Sequence, residues 1–187
     1  MIKYCHCNHC LQNEIIANPY NIYERELSLS EIRFEFDIRT ASLCRFDCKR
    51  FRKKPSCPPN IPDMEYYKKV FMAYTNIYII GGKYPYADGL FQSHWRNYST
   101  NEIHDLLLKK EIELFKKGHI YAKAFIGGSC KACPSQVCDP VRCRFPNKGR
   151  VPIEATGLHV FLLMTSLGLE YQEPPIDFFW RIGVVFF

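Results

Sequence analysis

The sequence predicts an α/β protein with a small mixed sheet of about four to five strands and flanking helices. Segments with the composition of β-strands alternate along the chain with segments of helical periodicity, which is the order typical of this class. Hydrophobic residues make up 47% of the 187 positions and charged residues 24%, so the composition is globular. Two cysteine-rich metal-binding loops are expected at strand ends. They would lie in one domain over residues 32–187, after a Cys/His-rich extension and connector over residues 1–31.

The first half of that domain alternates between the two kinds of element. Apolar residues at every second position predict a strand over residues 31–38. Helical spacing of apolar residues predicts a helix over residues 62–74, with Pro62 in its first turn. A β-rich strand is expected over residues 76–80. The aromatic connection over residues 84–95 is long enough to form a lid.

The second half begins with the most regular helix, which is predicted over residues 99–117. Ser99 and Glu102 have the spacing of a capping box, and Gly118 follows as the terminating residue. The remaining predicted elements are a strand over residues 121–126, a short helix over residues 152–156, and strands over residues 158–164 and 178–187.

The second cysteine loop holds four thiols within fourteen positions, with the spacing C-x2-C-x4-C-x4-C. These candidate metal and cofactor ligands are Cys130, Cys133, Cys138 and Cys143. Thiolates are soft ligands that select iron–sulfur clusters, zinc or copper(I). One C-x2-C pair followed by two single cysteines is closer to ferredoxin-type loops than to zinc ribbons, which carry two such pairs. We therefore expect a [4Fe–4S] cluster here, with a four-cysteine zinc site as the alternative.

The first cysteine loop is one ligand short, because it supplies only Cys44, Cys48 and Cys57. An N-terminal Cys/His group adds three more thiols as candidate metal ligands, namely Cys5, Cys7 and Cys10. One of these thiols could complete the first loop's cluster. Alternatively, the fourth position is open, which would leave one iron free for a substrate, as open positions do in catalytic metal sites.

The net charge of +6 is concentrated in one place, since six of the cations lie within residues 45–54. This run surrounds Cys48, so it is suited to compensating the negative charge of a thiolate-bound cluster. A solvated surface, an acidic protein partner and nucleic acid are the other interpretations, and nucleic acid is the least favoured.

Several classes of protein are not indicated. The chain has no secretory signal pattern and no apolar run of the roughly 20 residues that a spanning helix needs, so a cytoplasmic location is expected. Clustered cysteines in that compartment indicate metal binding rather than disulfides. No P-loop, Rossmann fingerprint or hydrolase motif is present, and the catalytic residues are unknown.

Three single residues are also considered. His94 is a candidate proton donor, and His159 is expected to be structural. Glu154 is expected to form a hydrogen bond with the backbone of the second loop or to cap its helix.

Three short motifs carry a resemblance to a known family. They are Gly127-Gly128-Ser129-Cys130-x2-Cys133, Cys143-Arg144-x-Pro146 and Glu154-Ala155-x-Gly157. Together with the first loop and its Cys57-Pro58-Pro59 end, they resemble a cysteine-rich family of predicted metal-binding proteins from anaerobic bacteria and archaea. The resemblance covers about residues 33–187. Cys138 lies further from the C-x2-C pair than is usual in the family, and the N-terminal Cys/His group is not a family feature. The resemblance implies metal binding and iron–sulfur clusters but no particular reaction.

Three functions are therefore compared. The favoured one is a cytoplasmic protein of anaerobic metabolism with one or two [4Fe–4S] clusters. It would transfer electrons to an acidic redox partner or a partner metalloenzyme, or help to mature or activate that metalloenzyme. The second is an enzyme with an open iron on the Cys44/Cys48/Cys57 loop, under a lid formed by residues 84–95. The third is a zinc-stabilised interaction or nucleic-acid-binding module.

Overall fold

The computed structural model describes residues 22–46, 48–86, 90–133 and 138–187, with the backbone alone at residues 90–93. Cys5, Cys7 and Cys10 lie outside the described residues. The four strands are β1 (Ile22–Ser28), β2 (Asn76–Pro85), β3 (Lys123–Phe125) and β4 (Phe178–Phe186). They form one sheet in the order β1-β2-β4-β3, and each neighbouring pair is antiparallel. The predicted α/β class and a sheet of about four strands are confirmed.

The sheet carries a hydrophobic core on each of its two faces, because alternate side chains of its inner strands point to opposite sides. On β4, Val184 and Phe186 belong to one core and Val185 to the other. On β2, Ile79 and Ile80 divide in the same way. The middle two strands are therefore buried on both sides.

Four helices cover these faces: α1 (Ile38–Phe46), α2 (Met64–Phe71), α3 (Leu90–Lys116) and α4 (Val160–Ser166). Two short 3₁₀ segments span Leu29–Glu31 and Glu154–Thr156. Phe71 of α2 stacks on Phe186 of β4, with ring centroids 4.2 Å apart. On the other face, the α3 residues Ile103 and Leu107 pack in the core that includes Val185.

Two predicted strands are wrong. Within residues 31–38 only Phe36 forms a bridge, to Leu158, because the Asp37 carboxylate accepts the Arg39 N–H at 2.8 Å and starts α1 instead. Residues 158–164 begin α4, where the His159 Nδ1 accepts the Leu162 N–H. In both places an apolar run packs on the core without joining the sheet.

The predicted start of the long helix is also wrong, since α3 begins at Leu90. Ser99 is buried within the helix, and its hydroxyl donates to the Arg96 carbonyl at 3.2 Å rather than capping a terminus. Gly118 does follow the helix, with a φ of 100°. Because β2 runs to Pro85 and α3 starts at Leu90, most of the predicted lid segment is strand or helix.

The two cysteine loops start from different elements. The second loop follows β3 directly, as predicted for a loop at a strand end. The first loop begins within α1, at Cys44, so its predicted position at a strand end is wrong. The cause is α1, which begins at Ile38, the last residue of the predicted strand, and continues to Phe46. No helix in the described ranges is long and apolar enough to cross a membrane.

Candidate metal centre

The three thiols of the first loop line one small pocket, which we call the three-thiol pocket. Cys44 comes from the last turn of α1, and Cys48 and Cys57 come from the loop that follows. The pocket has a volume of about 250 Å³, and Glu154 also lines it. Cys57 is buried, Cys44 is half-buried and Cys48 is exposed. The structure therefore places side by side three residues that the sequence predicts as one ligand set.

The backbone of the first loop is a series of tight turns. Each turn is closed by an N–H that donates to the carbonyl three residues earlier: Phe51 to Cys48, Lys53 to Arg50, Cys57 to Lys54, and Asn60 to Cys57. Arg52 adopts a left-handed φ of 61°, and its N–H donates to the Pro58 carbonyl at 3.0 Å. These turns bring Cys57 back towards Cys48 without any strand or helix.

Burial and mutual proximity affect the acidity of the first-loop thiols. Burial, together with the nearby Cys48 and Glu154, raises the pKa of Cys44 to about 11. Burial also raises the pKa of Cys57 to about 11, while the Lys54 charge acts in the opposite direction. Both groups are therefore neutral thiols at pH 7. A metal that binds them must displace their protons, which is the usual coupling of thiolate ligation to proton release.

The second group lies just beyond β3. Cys130 is buried, and Cys133 and Cys138 are half-buried. Burial raises the pKa of Cys138, and the adjacent Cys133 raises it further through its charge and a hydrogen bond. Cys143 is also half-buried and lies close to Gly149, since a Cβ on that glycine would come 3.0 Å from the Cys143 Sγ. Residues 134–137, between Cys133 and Cys138, are outside the described part of the chain.

Neither group is drawn together as tightly as a bound metal requires. Within the part of the chain that the structure describes, no three His, Cys, Asp or Glu side chains form a group that could hold a metal ion as they stand. The ligand roles of all the cysteines thus stay predictions. What the structure adds is the relative position of the two groups and the residues between them.

A buried lysine lies between the two cysteine groups. Lys54 is 5% exposed, and its Nζ donates to the Cys130 carbonyl of the second loop. Its positive charge offsets part of the rise that burial causes in the pKa of Cys57 in the first group and of Cys138 in the second. The Asn60 amide also joins the loops, because it donates to the Lys54 carbonyl at 3.1 Å and to the Pro140 carbonyl at 3.3 Å. The two groups are therefore neighbours in one structure.

The other five cations of the basic run differ from Lys54. They are exposed or half-buried at the surface around the first loop, namely Arg45, Lys49, Arg50, Arg52 and Lys53. The run thus divides into one internal cation between the cysteine groups and a cationic surface outside them.

The Gly127-Gly128 pair lies at the junction of the second loop, β4 and Glu154. A Cβ on Gly128 would lie 2.9 Å from Arg181 Nη1, and the glycine has a φ of 80°. Its N–H donates to both Glu154 carboxylate oxygens at 3.3 Å, which fulfils one of the two roles expected for Glu154. Glycine is needed at position 128 because a side chain would be strained and would meet the guanidinium.

A second and larger cavity adjoins the three-thiol pocket. Its volume is about 670 Å³, and it lies between α1, α4 and the start of β4. Thr40, Leu43 and Glu154 line both spaces. Arg181 of β4 lines only the larger one. A molecule in the larger cavity would therefore be next to the three-thiol pocket.

Sequence patterns did not reveal the residues that attach the second loop to α3. His104 is buried, its Nε2 lies 2.9 Å from the Lys148 carbonyl, and its Nδ1 accepts the Lys131 N–H at 3.4 Å. Two turns later, Glu111 forms a buried ion pair with Arg150, whose Nε donates to it at 2.8 Å. The sequence contains one indication of these contacts, because His104 and Glu111 are polar residues seven positions apart that lie next to apolar positions of a predicted helix.

The two histidines considered from the sequence lie elsewhere. His94 is exposed on α3 and its ring stacks on Tyr98, with centroids 6.5 Å apart. His159 caps α4, as a structural residue would, and it also lines the larger cavity.

A chain with two neighbouring thiol groups and a buried cation between them has the features of a metal-binding protein. Comparison with protein families agrees: a family model described as predicted metal-binding protein (DUF2284) matches residues 25–187. The chain belongs to this family, so the resemblance to a family of predicted metal-binding proteins is confirmed. No curated protein and no solved structure matches it.

Proposed function

We propose that this chain is a cytoplasmic iron–sulfur protein with two [4Fe–4S] clusters, one at each cysteine group. It would pass electrons to a partner metalloenzyme or help to mature or activate it. One cluster would be held by Cys44, Cys48 and Cys57. The other would be held by the second-loop cysteines Cys130, Cys133, Cys138 and Cys143. An iron–sulfur cluster supplies one-electron chemistry at potentials that its surroundings adjust.

The observation that carries this proposal is the buried position of Lys54. Among the described residues, Lys54 has no carboxylate partner, and its ammonium group donates to a backbone carbonyl instead. A buried cation without a counter-charge is unfavourable. Thiolate-bound clusters are anionic, so clusters on both sides of Lys54 would supply the missing negative charge. The donor set fits the cofactor because thiolates are the ligands that such clusters use.

The surface around the cysteine loops supports a protein partner. Arg45, Lys49 and Lys53 are exposed around the first loop, and Arg142 and Arg144 are exposed on the second. Large apolar side chains are exposed beside these cations, with Phe46 at 82% and Val141 at 89%. Exposed apolar side chains next to cations suit an acidic partner protein, because charge complementarity steers association.

The experiment is metal analysis of two single-cysteine variants purified without oxygen. Cys57→Ser and Cys130→Ser should each lose about four iron and four sulfide per chain, the content of one [4Fe–4S] cluster. Ser30→Ala, at an exposed position outside both cysteine loops, is the control and should keep the full content. Unchanged iron and sulfide in both cysteine variants would contradict the proposal. Zinc without sulfide in the parent protein would favour a zinc-stabilised interaction or nucleic-acid-binding module instead.

A second candidate function is an enzyme that uses an open iron at the first loop. The observation that favours it is the larger cavity, which shares Thr40, Leu43 and Glu154 with the three-thiol pocket. A three-cysteine cluster leaves one iron without a protein ligand, and that iron would be accessible from this cavity. Adding azide to the reduced protein should then shift the EPR signal of the first-loop cluster. A signal that azide leaves unchanged would contradict an open iron.

A further inference from the structure

The larger cavity combines aromatic walls with guanidinium groups. The rings of Phe161 and Tyr171 lie 5.0 Å apart, and Phe179 and Trp180 also line the cavity. Arg181 and Arg96 line it as well, Arg181 from β4 and Arg96 from the exposed side of α3. Apolar walls with a few polar groups are the usual composition of a small-molecule site.

The charges of Arg181 and Arg96 are not neutralised by ion pairs. Among the described residues, neither guanidinium has a carboxylate within 4.0 Å. The side-chain hydrogen bond found for Arg181 is a long one, 3.5 Å from its Nε to the Ser99 Oγ. Burial lowers the pKa of Arg181, the negative charge of Glu154 acts in the opposite direction, and the nearby positive charge of Arg96 lowers the pKa further. Two cations that face one cavity without an ion-pair partner suit an anionic ligand.

Among the described residues, the carboxylates that line the cavity form no salt bridge with these two cations, although the negative charge of Glu154 is near enough to act on Arg181. Asp37 forms an ion pair with Arg39, whose Nη2 lies 2.6 Å from it. Glu154 accepts the Gly128 N–H with both oxygens, at 3.3 Å each. Glu173 also lines the cavity but forms no ion pair within the described ranges. The cavity therefore has both acidic and basic groups, and the unpaired guanidinium groups belong to Arg96 and Arg181.

We infer that this cavity binds a small organic carboxylate with an aromatic or otherwise flat apolar body. The carboxylate would lie on Arg181 and Arg96, and the body would pack against the aromatic walls. Guanidinium groups bind carboxylates in a bidentate manner, and flat rings pack on aromatic side chains. Because the cavity adjoins the three-thiol pocket, this class of ligand would be the substrate of an open iron there. That last step depends on the second candidate function, whereas binding itself does not.

The test uses benzoate as the probe and isothermal titration calorimetry on the full chain, purified without oxygen. Benzoate should bind saturably in the millimolar range or tighter, whereas acetate lacks the ring and benzamide lacks the charge, so both should bind more weakly. Arg181→Met and Arg96→Met should each weaken benzoate binding by about tenfold or more, since each removes charge-assisted hydrogen bonds. Arg96 is exposed, so its variant tests the inference even if Arg181→Met does not fold. Arg25→Met, an equal charge change at an exposed site on β1, should leave binding unchanged.

Several outcomes would overturn the inference. Benzoate binding that does not saturate, or that is equal in the parent and in Arg96→Met, would show that the guanidinium groups do not form the site. If inorganic phosphate bound more tightly than benzoate, the ligand class inferred for the cavity would be a phosphate and not a carboxylate.

Iron and sulfide analysis of the same samples separates this inference from the proposed function. A full cluster content without benzoate binding would contradict the inference alone. Saturable benzoate binding in a protein without sulfide would contradict the clusters alone.

Discussion

The two cysteine groups differ in how they are supported. The first group lies on a series of tight turns after α1, and its pocket adjoins the large cavity. The second follows β3 and is attached to α3 by His104 and by the Glu111–Arg150 pair. This difference suggests a division of roles. Under the proposed function, the braced second group would hold a closed cluster that relays electrons, and the first would hold a cluster that meets a ligand.

The largest expected effect comes from removing the attachment of the second loop. Glu111→Gln leaves Arg150 buried without its counter-charge, which should lower the free energy of unfolding by about 3 kcal/mol or more. Both side chains are largely buried, at 4% exposure for Arg150 and 14% for Glu111. Chemical denaturation of the metal-free chain measures this change.

Glu113→Gln is the matched control, because Glu113 lies on the same helix and pairs with Lys117 at the exposed surface. Exposed pairs contribute little, so this variant should unfold like the parent. If Glu111→Gln were no less stable than Glu113→Gln, the second loop would not be braced as described.

The next effect concerns the junction where Gly128 meets Arg181. Gly128→Ala introduces a Cβ at 2.9 Å from Arg181 Nη1, at a φ of 80°. Gly118→Ala has a comparable φ of 100° but opens into free space. Both should lose about 1–2 kcal/mol from left-handed backbone strain. Only Gly128→Ala should also weaken benzoate binding, because it displaces the guanidinium. Equal benzoate affinity in the two variants would show that position 128 does not affect ligand binding in the cavity.

A smaller effect is expected when the cation between the two groups is removed. Lys54→Met should lower the reduction potential of at least one cluster, because a nearby positive charge favours the more negative, reduced state. The metal-free variant should be at least as stable as the parent, since it no longer buries an unpaired charge. Lys53→Met, at the adjacent exposed position, is the control. Potentials that are equal in both variants, measured by redox titration followed by EPR, would show that Lys54 does not face the clusters.

The smallest effect concerns His104 and pH. Burial lowers the pKa of His104 below its usual 6.5, so the folded chain holds the ring neutral where the unfolded chain protonates it. The unfolded state then binds more protons, and stability should fall as pH drops below about 6.5. His104→Gln keeps a donor and an acceptor but has no ring to protonate, so its stability should decrease less between pH 6.5 and 5. Parallel pH profiles for the two proteins would contradict a buried neutral His104.

The elements that were predicted most accurately are those whose sequence pattern fits one type of secondary structure and not the other. The apolar run at residues 178–187 is bounded by Pro175 and appears as β4 at Phe178–Phe186, and the helical spacing at residues 62–74 appears as α2. Short apolar runs are compatible with either a strand or a helix. For residues 158–164, the cap provided by His159 decides in favour of α4. The β1 segment, with Glu24, Arg25 and Glu26 at its centre, becomes a strand through its pairing with β2, which no local pattern shows.

The site was predictable to a similar extent. Cysteine spacing identified both groups, and the chain's family supports metal binding. Their proximity was not predictable, because it depends on tertiary contacts between the two loops, such as the donation from Lys54 to the Cys130 carbonyl. No local pattern shows that Lys54 is buried while its neighbour Lys53 is exposed. The sequence contains only one indication that Arg181 is a site residue, which is that it is a charged residue within an apolar strand. Its relation to Gly128 needs the antiparallel sheet that brings β4 next to the end of β3.

The central claim is that both cysteine groups hold clusters, and the most direct measurement is iron, acid-labile sulfide and zinc per chain in protein purified without oxygen. We predict about eight iron and eight sulfide, the content of two [4Fe–4S] clusters, together with the broad visible absorption of such clusters. A colourless protein that contains zinc and no sulfide would contradict the claim.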